Sequence, residues 1–209
     1  MTLALIGLAA VFLCISQYLV WFYAPIEMTM GIVQKIFYAH MPMALWSMVS
    51  FFVVFIASVL FLAKRDLKWD RLAGAAAEIG VLLSALALIT GSLWARPMWN
   101  VWRTWDPRLT TTLIMWFVYM AYLLLRASDL GAERKPLVCA ALGVVAFLDV
   151  PLVFLSARYW RSIHPSVFAS QGGGLEPEMW TTVLFCLAAW GFLWAALLRI
   201  RTRQLELTA

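Results

Sequence analysis

Residues 41–63 read MPMALWSMVSFFVVFIASVLFLA, an uncharged run closed by Lys64 and Arg65. A helix rises about 1.5 Å per residue, so a run of this length crosses the roughly 30 Å hydrocarbon core of a bilayer. Five further segments repeat the pattern, at 3–23, 72–94, 109–125, 137–157 and 179–198. The composition agrees, with 64% hydrophobic and 13% charged residues and a mean hydropathy of +0.86. A soluble domain carries about 25% charged residues and could not hide this much apolar side chain. The expectation is an all-α integral membrane bundle of six transmembrane helices, forming one domain over residues 1–209. The first apolar run has no Lys or Arg before it and no A-x-A site after it, so it reads as a retained span rather than a cleaved leader.

Cationic residues set the expected orientation. Residues 64–71, 126–136 and the C-terminal tail hold ten of the 16 Lys and Arg, and the alternate connections hold six: Lys35, Arg96, Arg103, Arg108, Arg158 and Arg161. The positive-inside rule then places both termini in the cytoplasm. On the same argument the net charge of +5 reflects topology, and no nucleic-acid partner is expected. Membrane lipid is an expected partner.

The outer connections concentrate unusual chemistry. Trp94-Ala-Arg-Pro-Met-Trp99-Asn-Val-Trp102-Arg-Thr-Trp105-Asp106-Pro-Arg108-Leu-Thr110 places four tryptophans within 12 residues. An interfacial aromatic belt is one reading. The other is an aromatic shelf for a planar apolar ligand with anionic ends, its arginines pairing with those ends. The spacing of three between Trp99, Trp102 and Trp105 would align them if 94–110 formed a short interfacial helix. Only two histidines occur, and both fall toward this face. His40 lies in Lys35-Ile-Phe-Tyr-Ala-His40-Met-Pro42, at the expected mouth of the second span. His164 lies in Trp160-Arg161-Ser-Ile-His164-Pro165, beyond the fifth. Two imidazoles on opposite sides of a macrocycle can hold a haem iron. Arg161, a turn before His164, could face a propionate.

Other polar features are less specific. Glu78 and Asp149 fall inside spans, where charged groups usually face the bundle interior. An interhelical hydrogen bond is the simpler role, with a proton relay as the alternative. Asp149 precedes Val150-Pro151, which predicts a kink. Cys14, Cys139 and Cys186 sit in apolar runs without a C-x-x-C pattern and read as small hydrophobes. Phosphate loops, Ser–His–Asp arrangements and paired carboxylates are missing, so no enzyme is expected.

Trp99-Asn-Val-Trp102-Arg-Thr-Trp105-Asp106 resembles the tryptophan-rich "WWD" signature of membrane haem-handling proteins of cytochrome c biogenesis. Asp106-Pro-Arg108-Leu109-Thr110, Ile36-Phe-Tyr38-Ala-His40-Met-Pro42 and Val150-Pro151…Ser156…Trp160-Arg161…His164 are similar to the six-span member, the haem exporter protein C family of the cytochrome c maturation system. The resemblance implies that His40 and His164 are axial ligands of a transiently carried haem b. It implies that Trp94, Trp99, Trp102, Trp105, Asp106, Arg108, Trp160 and Arg161 surround that haem on the periplasmic side of a bacterial cytoplasmic (inner) membrane. It further implies delivery to a periplasmic haem chaperone, with ABC transporter subunits and a small single-span subunit as partners. The alternatives are an electron-transfer cytochrome b-like subunit and a haem-free scaffold subunit of an ABC transporter. Two positions depart from the family pattern: Asn100 replaces the usual loop glycine, and Arg103 replaces the second tryptophan of the doublet.

Overall fold

The computed structural model describes residues 2–160 and 175–208. Its described residues are helical apart from short connections. Helix α1 (Thr2–Tyr18) continues into a π-helical turn, Leu19–Tyr23, and a 3₁₀ turn, Ile32–Ile36, leads into α2 (Phe37–Lys64). Helices α3 (Leu67–Trp99), α4 (Pro107–Ala127), α5 (Arg134–Ala146), α6 (Asp149–Tyr159) and α7 (Pro177–Leu207) follow. With α5 and α6 taken together as one span, six helical segments are long and apolar enough to cross a membrane. The protein is a multi-pass membrane protein.

Local chemistry explains several helix ends. Arg65 closes α2 in the left-handed region at φ 57°, and Asp66 caps α3 by accepting from the Lys68 backbone N–H at 3.0 Å. The Lys68 side chain, 2.8 Å away, holds the Asp66 carboxyl below its ordinary range. Asp106 caps α4, with Pro107 at the first helical position, where a missing N–H costs nothing. The kink expected near Pro151 is a full break between α5 and α6 at Phe147 and Leu148. Pro151 has no N–H to give, and its ring would crowd the Phe147 carbonyl four residues back.

Two spans run further in the structure than the sequence suggests. The second span is expected from Met41, yet α2 begins at Phe37 and runs through Pro42. Pro42 merely withholds one hydrogen bond from the Tyr38 carbonyl, and packing of the Phe37–His40 turn retains the helix. Likewise α3 extends to Trp99, beyond the expected end at Trp94.

The core lies between α2, α3 and α4. The small residues Ala73, Ala76, Ala77 and Gly80 let α3 approach α2 closely, as small residues do between spanning helices. A Cβ at Gly80 would sit 2.6 Å from Cε1 of Phe51. Phe51 cannot retreat, because its other face stacks on Tyr119 with ring centroids 3.6 Å apart. Gly80→Ala should therefore cost about 1–3 kcal/mol through overpacking, measured as a lower Tm of the detergent-purified protein.

Charged groups toward the end of the bundle that holds the C-terminus are tied between helices. Glu78 accepts from Arg201 of α7, with Nη2 to Oε1 at 2.9 Å, which is the interhelical role expected for it. Asp70 of α3 holds Arg126 of α4 in a bidentate pair at 2.7 and 3.0 Å. Asp149 differs, since its Oδ2 is buried without a hydrogen-bond partner among the described residues.

Candidate functional site at the tryptophan-rich end of the bundle

The end of α3, the starts of α2, α4 and α7, and the end of α6 meet at the bundle end opposite Asp70 and Arg201. Contacts between distant residues fix this arrangement. His40 of α2 meets Thr90 of α3 at 3.0 Å, and Thr111 of α4 meets Ser156 of α6 at 3.4 Å.

His40 is in the first turn of α2 and not in a connecting loop, and its ring packs on α3. Thr90 Oγ1 donates its single proton to the Leu86 or Ala87 carbonyl, at 2.8 and 3.1 Å. A hydroxyl engaged in this way accepts from the ring, which favours the Nδ1–H tautomer of His40. The ring also bonds the Ala87 backbone and lies near enough to Arg108 to feel its charge. Gly91 provides the space for the ring: a Cβ there would stand 3.2 Å from Cε1 of His40. Thr90 and Gly91 are site residues that sequence reasoning missed. Their only local signal is a small polar residue followed by glycine one turn before Trp94.

The tryptophan stretch divides into three parts. Trp94 and Trp99 lie on the last turns of α3, and Trp94 is buried, its ring tilted against Trp99 at 6.5 Å. Residues 100–106 are non-helical, so 94–110 is not the interfacial helix that would align the three rings. Asn100 ends α3 in the left-handed region at φ 55°, which breaks the helical register the spacing of three required. Glycine adopts this conformation freely and asparagine tolerates it, which accounts for Asn100 at a position where glycine is usual. Arg96 fixes the turn by donating to the Asn100 carbonyl and side-chain oxygens at 2.7 and 2.9 Å.

Trp102 and Trp105 project outward, Trp105 being 82% exposed. Each carries a guanidinium: Arg96 stands 5.8 Å from the Trp102 ring centre and Arg103 5.6 Å from that of Trp105. Arg103 also donates to the Leu109 carbonyl at 3.0 Å, bracing the connection against α4. Asp106 is engaged as the cap of α4, accepting from the backbone of Arg108 at 2.9 Å and of Leu109 at 3.4 Å. It thereby sets the position of Arg108. The Arg108 guanidinium has no carboxylate within 4 Å among the described residues. Trp160, exposed, follows α6. Arg161 and His164 lie outside the described residues. The structure thus brings His40, Arg108 and the Trp94–Trp105 stretch to one bundle end.

A model of the family described as Heme exporter protein C matches residues 1–208. The chain belongs to this family. Among similar proteins are the heme exporter protein C of Rhodobacter capsulatus, 32% identical over 93% of this chain and 83% of the relative, and that of Bradyrhizobium diazoefficiens, 35% identical over 88% and 74%. A putative cytochrome c biosynthesis ccmC-like mitochondrial protein of Marchantia polymorpha is 29% identical over 98% and 87%. Membership of the heme exporter protein C family agrees with the six spans and with the resemblance carried by the tryptophan stretch.

Proposed function

We propose that this protein binds haem at the periplasmic face of the bacterial cytoplasmic membrane and delivers it to a periplasmic haem chaperone for cytochrome c maturation. It acts without chemically transforming its cargo. The observation that carries the reading is the tethered His40 imidazole. With Nδ1–H directed at Thr90, Nε2 is the nitrogen that ligates iron, and the partner of the other ring nitrogen fixes its orientation. His164 supplies the opposite ligand. Trp94, Trp99, Trp102, Trp105 and Trp160 contact the macrocycle, and Arg108 and Arg161 pair with propionates. ABC transporter subunits and a small single-span subunit assemble beside it, as the family resemblance suggests. Both termini are cytoplasmic, supported by the ten-to-six split of Lys and Arg.

Haem transfer from the loaded, detergent-purified protein to a haem chaperone, followed by absorbance, tests the reading. Rapid loss of the Soret band from the membrane protein supports it, and permanent retention overturns it. Retention would favour the cytochrome b-like alternative, which gains from the placement of His40 inside α2 rather than in a loop. The orientation has its own check. A cysteine at Gly173 should react with an impermeant thiol reagent added from the periplasm, and one at Gly131 should not.

Arg108→Ala should weaken haem retention about tenfold, the lower end for a charge-assisted bond at a partly wet site. Its ligation spectrum should stay unchanged. Equilibrium haem titration checks this, and an unaltered affinity would remove Arg108 from the site.

A further inference from the structure

Lys35 is only 7% exposed, although it stands at the end of a spanning helix. Its ammonium donates to the Val20 carbonyl and, at 2.7 Å, to the Ala24 carbonyl. These close the π-helical end of α1, where the helix dipole favours a cation. Two of its three donors are thereby used. The positive charge itself has no carboxylate within 4 Å among the described residues. Glu176, whose charge reaches the adjacent Tyr38, is exposed at the start of α7.

Beside Lys35 lies a cleft of about 470 Å³. Leu13, Val20, Ile36 and Cys186 form its apolar walls, and Trp21 and Ile32, both more than half exposed, stand at its mouth. From Val20 down to Leu13 the cleft follows α1 for about 10 Å, at 1.5 Å per residue. Helix α1 packs mainly on α7 and otherwise presents its sides outward, so the cleft opens between spanning helices. Lys35 thus marks the depth of lipid headgroups, with an aliphatic channel running inward from it. An amphiphile with an anionic head and a hydrocarbon tail satisfies both features.

We propose that this cleft binds one anionic phospholipid, its phosphate on the Lys35 ammonium and one acyl chain along α1. The proposal does not depend on how haem is held.

Native mass spectrometry of the full chain in detergent, with phosphatidylglycerol or phosphatidylethanolamine added, tests it. The protein should retain one phosphatidylglycerol about tenfold better than phosphatidylethanolamine, as one charge-assisted contact provides. Lys35→Met should abolish that preference and Lys35→Arg should preserve it. Leu13→Trp, at a half-buried position on the cleft wall, narrows the channel without altering charge and should reduce retention of both lipids. Equal retention of the two lipids by the unaltered protein overturns the proposal even if Lys35→Met does not fold. Unchanged retention in Leu13→Trp also overturns it, as does full displacement of phosphatidylglycerol by inorganic phosphate, which would show an anion site without a chain.

Discussion

Replacing His40 by glycine should open one axial position on the iron, turn a low-spin bis-imidazole spectrum toward high spin and lower haem occupancy. His164→Gly should do the same from the opposite face. These are the only two histidines of the chain, so no third imidazole can substitute. Free imidazole should partly restore the low-spin form in each variant, since the space left by the side chain can receive it. The structure adds a graded version of the test. Thr90→Val keeps the shape of the residue but removes the acceptor for Nδ1–H of His40. Loss of such an orienting partner commonly costs 10- to 100-fold in metal affinity, so haem should bind more weakly while both ligands remain. Electronic absorption of the oxidised protein and haem titration separate the two cases. If both glycine variants keep an unaltered low-spin spectrum without imidazole, the ligands lie elsewhere, with Met41 and Met98 the next candidates.

Asp70→Asn should destabilise the bundle by about 3–5 kcal/mol, the cost of leaving one member of a buried ion pair without its partner. The Arg126 and Asp70 side chains are 20% and 14% exposed, and the guanidinium is held at 2.7 and 3.0 Å with Tyr122 Oη at 3.3 Å. Gly74 makes the arrangement possible, because a Cβ there would lie 2.8 Å from Arg126 Nη2. Replacing both charges, as Asp70→Leu with Arg126→Met, should recover most of the loss, since a buried pair and its apolar replacement are often near equal in free energy. Thermal unfolding in detergent distinguishes the single from the double variant. A single variant as stable as the parent would show that water reaches the pair freely. Arg201 and Glu78, more than a third exposed on each side, should be far less sensitive, because exposed pairs contribute roughly 0–1 kcal/mol.

The sequence by itself determined the six-span all-α architecture, because a spanning segment must satisfy its backbone internally and match the bilayer in length. The caps at Asp66 and Asp106 act within three residues of themselves, yet apolar runs alone, starting these spans at 72 and 109, passed over them. The gathering of tryptophan and arginine at one membrane face also followed from counting. Tertiary structure alone decided which groups meet. His40 finds Thr90 fifty residues away, Asp70 finds Arg126 fifty-six away, and Lys35 reaches back to the end of α1. It also decided that Trp94 is buried while Trp105 stands in the open. Their spacing is ambiguous until the left-handed turn at Asn100 ends α3 between them. The physical reason is that hydropathy and capping act along the chain. Partners across helices depend on the rotation and depth of each helix, which close packing of small residues such as Gly74, Gly80 and Gly91 fixes only in the assembled bundle.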